Sequence, residues 1–546
     1  MGPVATWAAV ALLASAAAAG VLGHDAWARR LHRAGAVVAA LAVVALAWAL
    51  VEGDYTLQYV ALQTERASTW PYRLAGLWGG MAGSLLLWSA LVAGWGARRD
   101  VDRWARAVAS GLAAAFVAVV ALAAWPWGRL DQPALDGLGL VPILQHPAML
   151  YHPPLIYLGL TGLAVPFAST IGGAPRARVR RQLLACLAVL TVGMTAGAHW
   201  AYVELGWGGY WAWDPVENTS LLPWLAVVAA LHLQRRRADR AAAAATAGAF
   251  VLALLGTTLT RSGAAPSVHA FAEDPIVGWS LVAVCVAAVV VAVVAIARIP
   301  SDAPARRGTR ALALQPWLVG GALLVVLLGT VRPLVGREQV AVDGSFFAVF
   351  VAPLALGLAG LIVVGGVIRP SRRHPGHLAH VGFLVLLAGV LGTTTGANDG
   401  RTLDPGASFV VHGWEVRNDG VDVETVAGHD AVVATLTLLK DGREVAVLRP
   451  ARVAYPERGL ELAETALRST PLGDVQVVLL DADDAGRALV EVHVFPFLVW
   501  VWWGALVLAG AAAWAAARYV PPDGPRPLRP ARQRQLQRPA PAPARH

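Results

Sequence analysis

The chain has 546 residues, 57% of them hydrophobic and only 14% charged, with a mean hydropathy of +0.56. A water-soluble fold of this length carries far more charged surface, so the composition excludes a soluble enzyme and makes membrane lipids the solvent. The net charge of +9 does not make it a nucleic-acid binder. Its arginines sit in short clusters between apolar runs (Arg29, Arg30 and Arg33; Arg98 and Arg99; Arg176 to Arg181; Arg235 to Arg237; Arg306 and Arg307; Arg372 and Arg373; the tail after Arg518), as in a membrane protein with its basic loops on the cytoplasmic side.

Apolar runs long enough to cross a ~30 Å hydrocarbon layer recur along the chain. Spans are predicted at 4–22, 34–51, 78–95, 107–125, 154–171, 183–199, 219–233, 241–260, 276–297, 316–331, 346–368, 378–395 and 497–516. The first run has no basic segment before it and further spans follow at once, so it reads as a helix and not as a cleaved leader. With the N-terminus outside, every arginine cluster falls on an inside connection, and the C-terminal tail is cytoplasmic. Cys186 and Cys285 lie inside apolar runs without a CxxC neighbour, which argues against a disulfide or a thiolate metal site.

One outside connection differs in kind. Between 397 and 495, alternating segments such as 432–438 and 475–479 and the turn Lys440-Asp441-Gly442-Arg443 predict short strands and hairpins. The fold class is therefore an all-α polytopic membrane protein of about 13 transmembrane helices, with a small β-rich domain between the last two. Its parts are a membrane domain at 1–396, the β-rich domain at 397–495, a final span at 496–518 and a Pro/Arg-rich disordered tail at 519–546.

The loop 200–219 gathers Trp200, Trp207, Trp211 and Trp213 with Tyr202 and Tyr210 around Gly206, Gly208 and Gly209, and ends in Asp214-Pro215. Glycines let a backbone approach a flat ligand, and broad aromatic faces stack on one. An interfacial aromatic belt is the alternative reading, although a belt needs neither an embedded acidic pair nor adjacent glycines. Asp214 and Glu217 either order this loop, cap the helix that follows or meet a partner.

Four histidines pair by depth. His152 and His269 precede the spans at 154 and 276, level with the tryptophan loop; His232 ends one span and His380 begins another, both near the inner face. Two imidazoles at one depth can ligate heme iron from opposite sides, whereas a lone histidine at a span end can simply be interfacial. His146 and His199 are second-choice outer ligands. His24, His32, His374, His377 and His546 lie in basic segments and are read as solvated; His412, His429 and His493 belong to the β-rich domain. Arg261, at the outer end of a span, suits either a carboxylate of the ligand or an interfacial anchor.

The string Trp207-Gly-Gly-Tyr-Trp-Ala-Trp-Asp-Pro-Val-Glu-Asn218 resembles the WWD signature of heme-handling proteins. The stretches Tyr72-Arg73, Trp78-Gly-Gly80, Gly83-Ser-Leu-Leu-Leu-Trp88, Leu150-Tyr-His-Pro-Pro-Leu155, Leu255-Gly-Thr257, Arg261-Ser-Gly263, Ser267-Val-His-Ala-Phe271, Leu378-Ala-His380 and Tyr455-Pro-Glu-Arg458 narrow the resemblance to the CcmF and NrfE-type cytochrome c heme lyase subunits of bacteria. Met81-Ala82 stands where that family often has His-Glu, and the stretch between His269 and His380 is shorter than in longer members.

The resemblance implies a bacterial inner-membrane protein that ligates heme to the CxxCH thiols of apocytochrome c. His152 and His269, with Trp207, Trp211, Trp213 and Asp214, would handle the incoming heme. Trp200, Gly208, Gly209, Tyr210 and Arg261 would bind it, and His232 and His380 would hold a resident heme b. Implied partners are a CcmE-like heme chaperone, apocytochrome c with a CcmH-like thiol-reducing protein, and a quinol. The chain has no CxxCH and no cysteine outside its apolar runs, so the thiols come from the substrate. A heme carrier or exporter that delivers without ligating is the alternative, followed by a diheme quinol oxidoreductase and a solute transporter. The last expects mid-membrane ionisable residues, and almost none occur.

Overall fold

The computed structural model describes residues 1–98, 101–236, 238–263, 274–300, 310–335, 344–368, 375–426 and 429–518. Its helices are α1 (Gly2–Leu22), α2 (Asp25–Glu52), α3 (Gln58–Gln63), α4 (Trp70–Gly79), α5 (Met81–Gly96), α6 (Arg103–Ala123), α7 (His152–Gly162), α8 (Ala164–Ile171), α9 (Arg176–Glu204), α10 (Pro215–Arg236), α11 (Asp239–Ser262), α12 (Pro275–Ala297), α13 (Arg310–Val335), α14 (Gly344–Ile368), α15 (Pro375–Thr393) and α16 (Leu498–Arg518). Among the described residues, 12 helical stretches are long and apolar enough to cross a membrane, the continuous run Pro147–Ile171 counted as one. The protein is a multi-pass membrane protein.

The run 78–95, expected to be one span, is broken instead. Helices α4 and α5 meet at 82°, with Gly80 extended between them at φ −119°, ψ 166°. Tyr59 acts as the wedge. Its hydroxyl, 2.9 Å from the Gly76 carbonyl and 3.3 Å from that of Leu77, bonds at the C-terminal turn of α4, and a Cβ at Gly83 would overlap its ring. A side chain inserted at a glycine pair is a recognised cause of a sharp kink.

His32, expected to be solvated, is fully buried: Nδ1 lies 2.7 Å from Ser110 Oγ and Nε2 2.8 Å from the Ala93 carbonyl. The arginines around it mark the right end of the bundle, but the face of α2 that carries His32 packs inward. The described arginine clusters gather at this end, where Arg103 reaches the Gly20 carbonyl (2.8 Å), Arg178 pairs with Asp102 (3.4 Å) and Arg176 pairs with Asp239. The core of the bundle holds Leu85, Trp88, Phe116, Phe167 and Phe250. Helix association in lipid rests on close packing more than on hydrophobicity, and α15 and α16 illustrate it. A Cβ at Gly382 would come 2.6 Å from the Leu508 nitrogen, and one at Gly389 2.6 Å from that of Val501. This backbone contact fixes His380, two residues from Gly382.

Between α15 and α16 the chain forms β1 (Ala397–Leu403), β2 (Ser408–Val411), β3 (Trp414–Val426), β4 (His429–Lys440), β5 (Arg443–Leu448), β6 (Ala451–Tyr455), β7 (Leu460–Glu464), β8 (Ala466–Thr470), β9 (Gly473–Ala482) and β10 (Ala488–Pro496). One antiparallel sheet runs β1-β10-β9-β8; the other runs β2-β3-β4-β6-β7, with β5 also on β4. Alternate residues of both sheets, among them Phe409, Val416, Leu436, Val477 and Val490, make the shared core. The expected turn is present: Asp441 and Gly442 link β4 to β5 with φ of 53° and 73°, the left-handed pair that a two-residue hairpin requires.

The β domain is bonded to the bundle. Gln476 Nε2 donates to the Tyr202 carbonyl (2.8 Å), Thr465 Oγ1 to the Val203 carbonyl (2.8 Å) and Tyr202 Oη to Asp474 (3.3 Å). Arg458, from the motif Tyr455-Pro-Glu-Arg458, donates to the carbonyls of Leu138 and Gly139.

Candidate functional site

Next to the β domain, the bundle opens into a cavity between α5, α7, α9, α10 and α11. The space between its walls, open mouth included, is about 1280 Å³. His152, Trp200, Trp211 and Arg261 all line it.

Each is positioned by local chemistry. His152-Pro-Pro opens α7, because proline suits the first turn of a helix, where its missing N–H is no loss. The ring of His152 rests on Gly197 of α9, where a Cβ would come 2.9 Å from Nδ1. Nδ1 lies 2.9 Å from the Gly193 carbonyl. A carbonyl only accepts, so Nδ1 carries the proton and Nε2 carries the lone pair, the tautomer a metal ligand needs. Trp200 stands beside it, ring centres 5.8 Å apart. Arg261 donates from Nη2 to Ser84 Oγ (3.2 Å), and its guanidinium lies 5.9 Å over the Tyr157 ring.

The tryptophan loop divides between the cavity and its surroundings. Trp200 and Trp211 line the cavity; Trp207, Gly208, Gly209, Tyr210, Trp213 and Asp214 are not among its lining residues. Trp213, at φ 57°, stacks on Phe347 with centres 4.5 Å apart and planes at 6°. Tyr210 packs edge-on to Trp502 and its hydroxyl meets Thr393 Oγ1 (3.2 Å). Gly208, at φ 75°, lies against His493 of β10, and Gly209 faces the Trp207 ring, which is 41% exposed. The loop's order comes from its carboxylates. Glu217 accepts from the backbone nitrogens of Ala212 (2.8 Å) and Asp214 (3.2 Å), and Asp214 accepts from Val216 (2.9 Å), so capping is the role seen for both.

At the arginine-rich end, His232 of α10 and His380 of α15 face each other with ring centres 6.2 Å apart and planes at 21°. A nitrogen–metal bond of about 2 Å puts each ring centre about 3 Å from the ion, so two imidazoles on opposite sides of one metal have centres about 6 Å apart. The spacing of the pair matches that distance. His232 Nδ1 lies 2.8 Å from the Val228 carbonyl, which again leaves Nε2 as the nitrogen with a lone pair. His269, the expected partner of His152, lies outside the described residues.

Family models and relatives agree with this architecture. Residues 78–264 match the model for a cytochrome C assembly protein, and residues 395–496 match the CcmF C-terminal beta-sandwich. The NrfE cytochrome c-type biogenesis protein of Escherichia coli is 32% identical over 510 residues, covering 86% of this chain and 92% of the relative. The CcmF protein of Pseudomonas aeruginosa is 29% identical over 598 residues, covering 88% and 90%. A solved structure titled cytochrome c heme lyase CcmF shares the fold with a TM-score of 0.76, 24% identity, and coverage of 94% of this chain and 96% of that one. This chain belongs to the CcmF/NrfE family of cytochrome c-type biogenesis proteins.

In this CcmF/NrfE family member, the structure adds residues that spacing alone did not single out. Tyr157 and Ser84 hold Arg261, and Trp88 lines the cavity deep on α5. Met81, Met149 and Met194, three of the chain's four methionines, line it too, giving soft, adaptable walls. A periodicity argument puts such residues in a helical core, which is where they are; only the packing of five helices shows the gap they share. His146 and His199 lie nearby, outside the cavity lining. His146 Nδ1 accepts from the Ala148 nitrogen (3.1 Å) and Nε2 lies 3.9 Å from Glu204; burial, then His199, lowers its pKa.

Proposed function

We propose that the protein ligates heme to the CxxCH thiols of apocytochrome c at the end of the bundle that carries the β domain. The observation that carries this reading is the convergence of His152, Trp200, Trp211 and Arg261 on one cavity. Heme enters as substrate. The His152 Nε2 lone pair ligates its iron, the indoles of Trp200 and Trp211 flank the ring, and the Arg261 guanidinium pairs with a carboxylate. Each substrate thiol adds across a vinyl group: the S–H and the C=C π bonds break, and an S–C bond and a new C–H bond form, with no net gain or loss of electrons. Alignment of thiol and vinyl supplies the rate, since holding reactants in place is worth many kcal/mol.

His232 and His380 would hold a resident heme b, which supplies one-electron transfer to keep the substrate iron ferrous. Their own contribution is to offer two imidazole rings whose centres lie 6.2 Å apart. A quinol as electron donor, a CcmE-like chaperone as heme donor and a CcmH-like protein presenting reduced apocytochrome complete the reading. The arginine clusters support an orientation with the N-terminus and the β domain outside a bacterial inner membrane and the C-terminus in the cytoplasm.

The test is a His152→Ala/His269→Ala variant in cells that depend on this protein for cytochrome c. Holocytochrome is expected to disappear while the purified variant keeps its reducible bis-histidine heme. A normal holocytochrome yield would sink the proposed roles.

A further inference from the structure

Three buried N–H groups in the cavity wall, on Trp88, Trp200 and Arg261, have no partner among the described residues, and two of them, on Trp88 and Arg261, meet at one helix. Trp88 is 1% exposed and packs on Phe116, ring centres 5.4 Å apart, yet its Nε1 meets no acceptor. Arg261 Nε is likewise buried and unbonded. The rest of that guanidinium is engaged only by neutral groups: Nη2 with Ser84 Oγ, Nη1 with Thr260 Oγ1 at 3.4 Å, and the Tyr157 face. Arg261 forms no ion pair among the described residues. A partly buried cation without a counter-charge is expensive, and an unmet buried donor costs about 1–3 kcal/mol.

The two donors are neighbours by construction. Ser84 and Trp88 are four residues apart on α5 and share one face, one turn apart. Arg261 is bonded to Ser84, so its guanidinium meets α5 one turn from the residue that carries the indole. Both unmet groups donate. What they lack is an acceptor, and the positive charge beside them selects an anionic one.

We infer that Trp88 is a positioning residue: its indole N–H and Arg261 together receive a carboxylate of the porphyrin deep in the cavity, so the macrocycle enters carboxylate edge first. This rests on the porphyrin reading of the cavity. The consequence is regiochemical. Protoporphyrin carries its carboxylates on one edge and its vinyls on the opposite one, so the vinyls stay at the mouth, where thiols arriving from outside meet them. A porphyrin turned the other way presents its carboxylates to the thiols and is not ligated.

The experiment compares iron protoporphyrin IX with its dimethyl ester, which keeps the ring, the iron and the vinyls but removes the charge. Binding of each is titrated by absorption against the purified full-length protein, with size-exclusion and circular dichroism profiles as fold controls. Trp88→Phe is expected to weaken the diacid about ten-fold, the loss typical of a hydrogen bond to a charged group, and to leave the ester unchanged. Trp88→His, which restores a ring N–H, should recover part of the difference. Trp88→Phe combined with Arg261→Gln should fall short of the product of the single effects, because both donors serve one carboxylate. Equal loss for both porphyrins, or no loss for either, overturns the role of Trp88. In either of those cases a His152→Ala variant that still weakens both ligands leaves the cavity reading intact; a wild-type protein that binds neither porphyrin overturns both.

Discussion

The His152 imidazole is seated on Gly197 and tied to Gly193, one helical turn away on the same face of α9. One helix therefore supports the ring and fixes its tautomer, and nothing larger than hydrogen fits beneath it. Gly197→Ala should displace the ring, destabilise the protein by about 1–3 kcal/mol and weaken iron-porphyrin binding by roughly 10–100-fold, the range seen when a metal ligand loses its orientation. Absorption titration checks this; unchanged affinity means that His152 does not ligate.

At the other end, His232→Ala and His380→Ala should each abolish the low-spin bis-histidine spectrum of the reduced, purified protein. Each should also leave iron-porphyrin binding at the His152 cavity within about two-fold of wild type, since distant sites behave independently. A spectrum that survives either substitution refutes the inner pair.

Gly208 is expected to tolerate no side chain. At φ 75° an alanine is strained, and its Cβ would overlap His493. Gly208→Ala should free the loop from β10 at a cost of about 1–3 kcal/mol, read as faster hydrogen exchange at residues 203–210. Wild-type protection there would show that loop and domain are not coupled through this contact.

The docking of the β domain should depend on pH. Burial holds the Asp474 carboxyl above the usual carboxylate range, against the hydrogen bonds from Ser469, Thr470 and Tyr202 and the field of His199, which act the other way. A carboxyl whose folded pKa is raised favours the folded, docked state in its neutral form. Its contribution is full below the ordinary carboxylate pKa and is lost as pH rises through the folded value. Asp474→Asn, a permanently neutral stand-in, should flatten this dependence. Hydrogen exchange along 473–482 between pH 4 and pH 8 measures it; identical profiles for wild type and variant count against the assignment.

Much of this protein is legible along the chain, and the inner site most of all. His232 and His380 are separated by 147 positions (380 − 232 − 1), yet alternation of spans puts both near one face, and the structure sets their rings 6.2 Å apart. Depth follows from position within a helix, which sequence records. Facing does not: Trp213 and Tyr210 sit in the same aromatic string as Trp211, but a positive φ at Trp213 and the pull of Phe347 and Trp502 turn them away from the cavity. His32 shows the same limit, with its arginine neighbours marking the right end of the bundle but not its buried face.

The sequence by itself determined the solvent, the order of spans, the strand-rich insertion and the shared end of the bundle at which His232 and His380 meet. These follow from local quantities: the length of an apolar run, alternation, and the placement of arginine. Only the tertiary structure decided which side chains share a space, because a cavity is bounded by helices far apart in the chain. The kink at Gly80, the glycine contact that places His380, and the neighbouring unmet donors of Trp88 and Arg261 are products of packing, where close approach in three dimensions leaves no periodic trace.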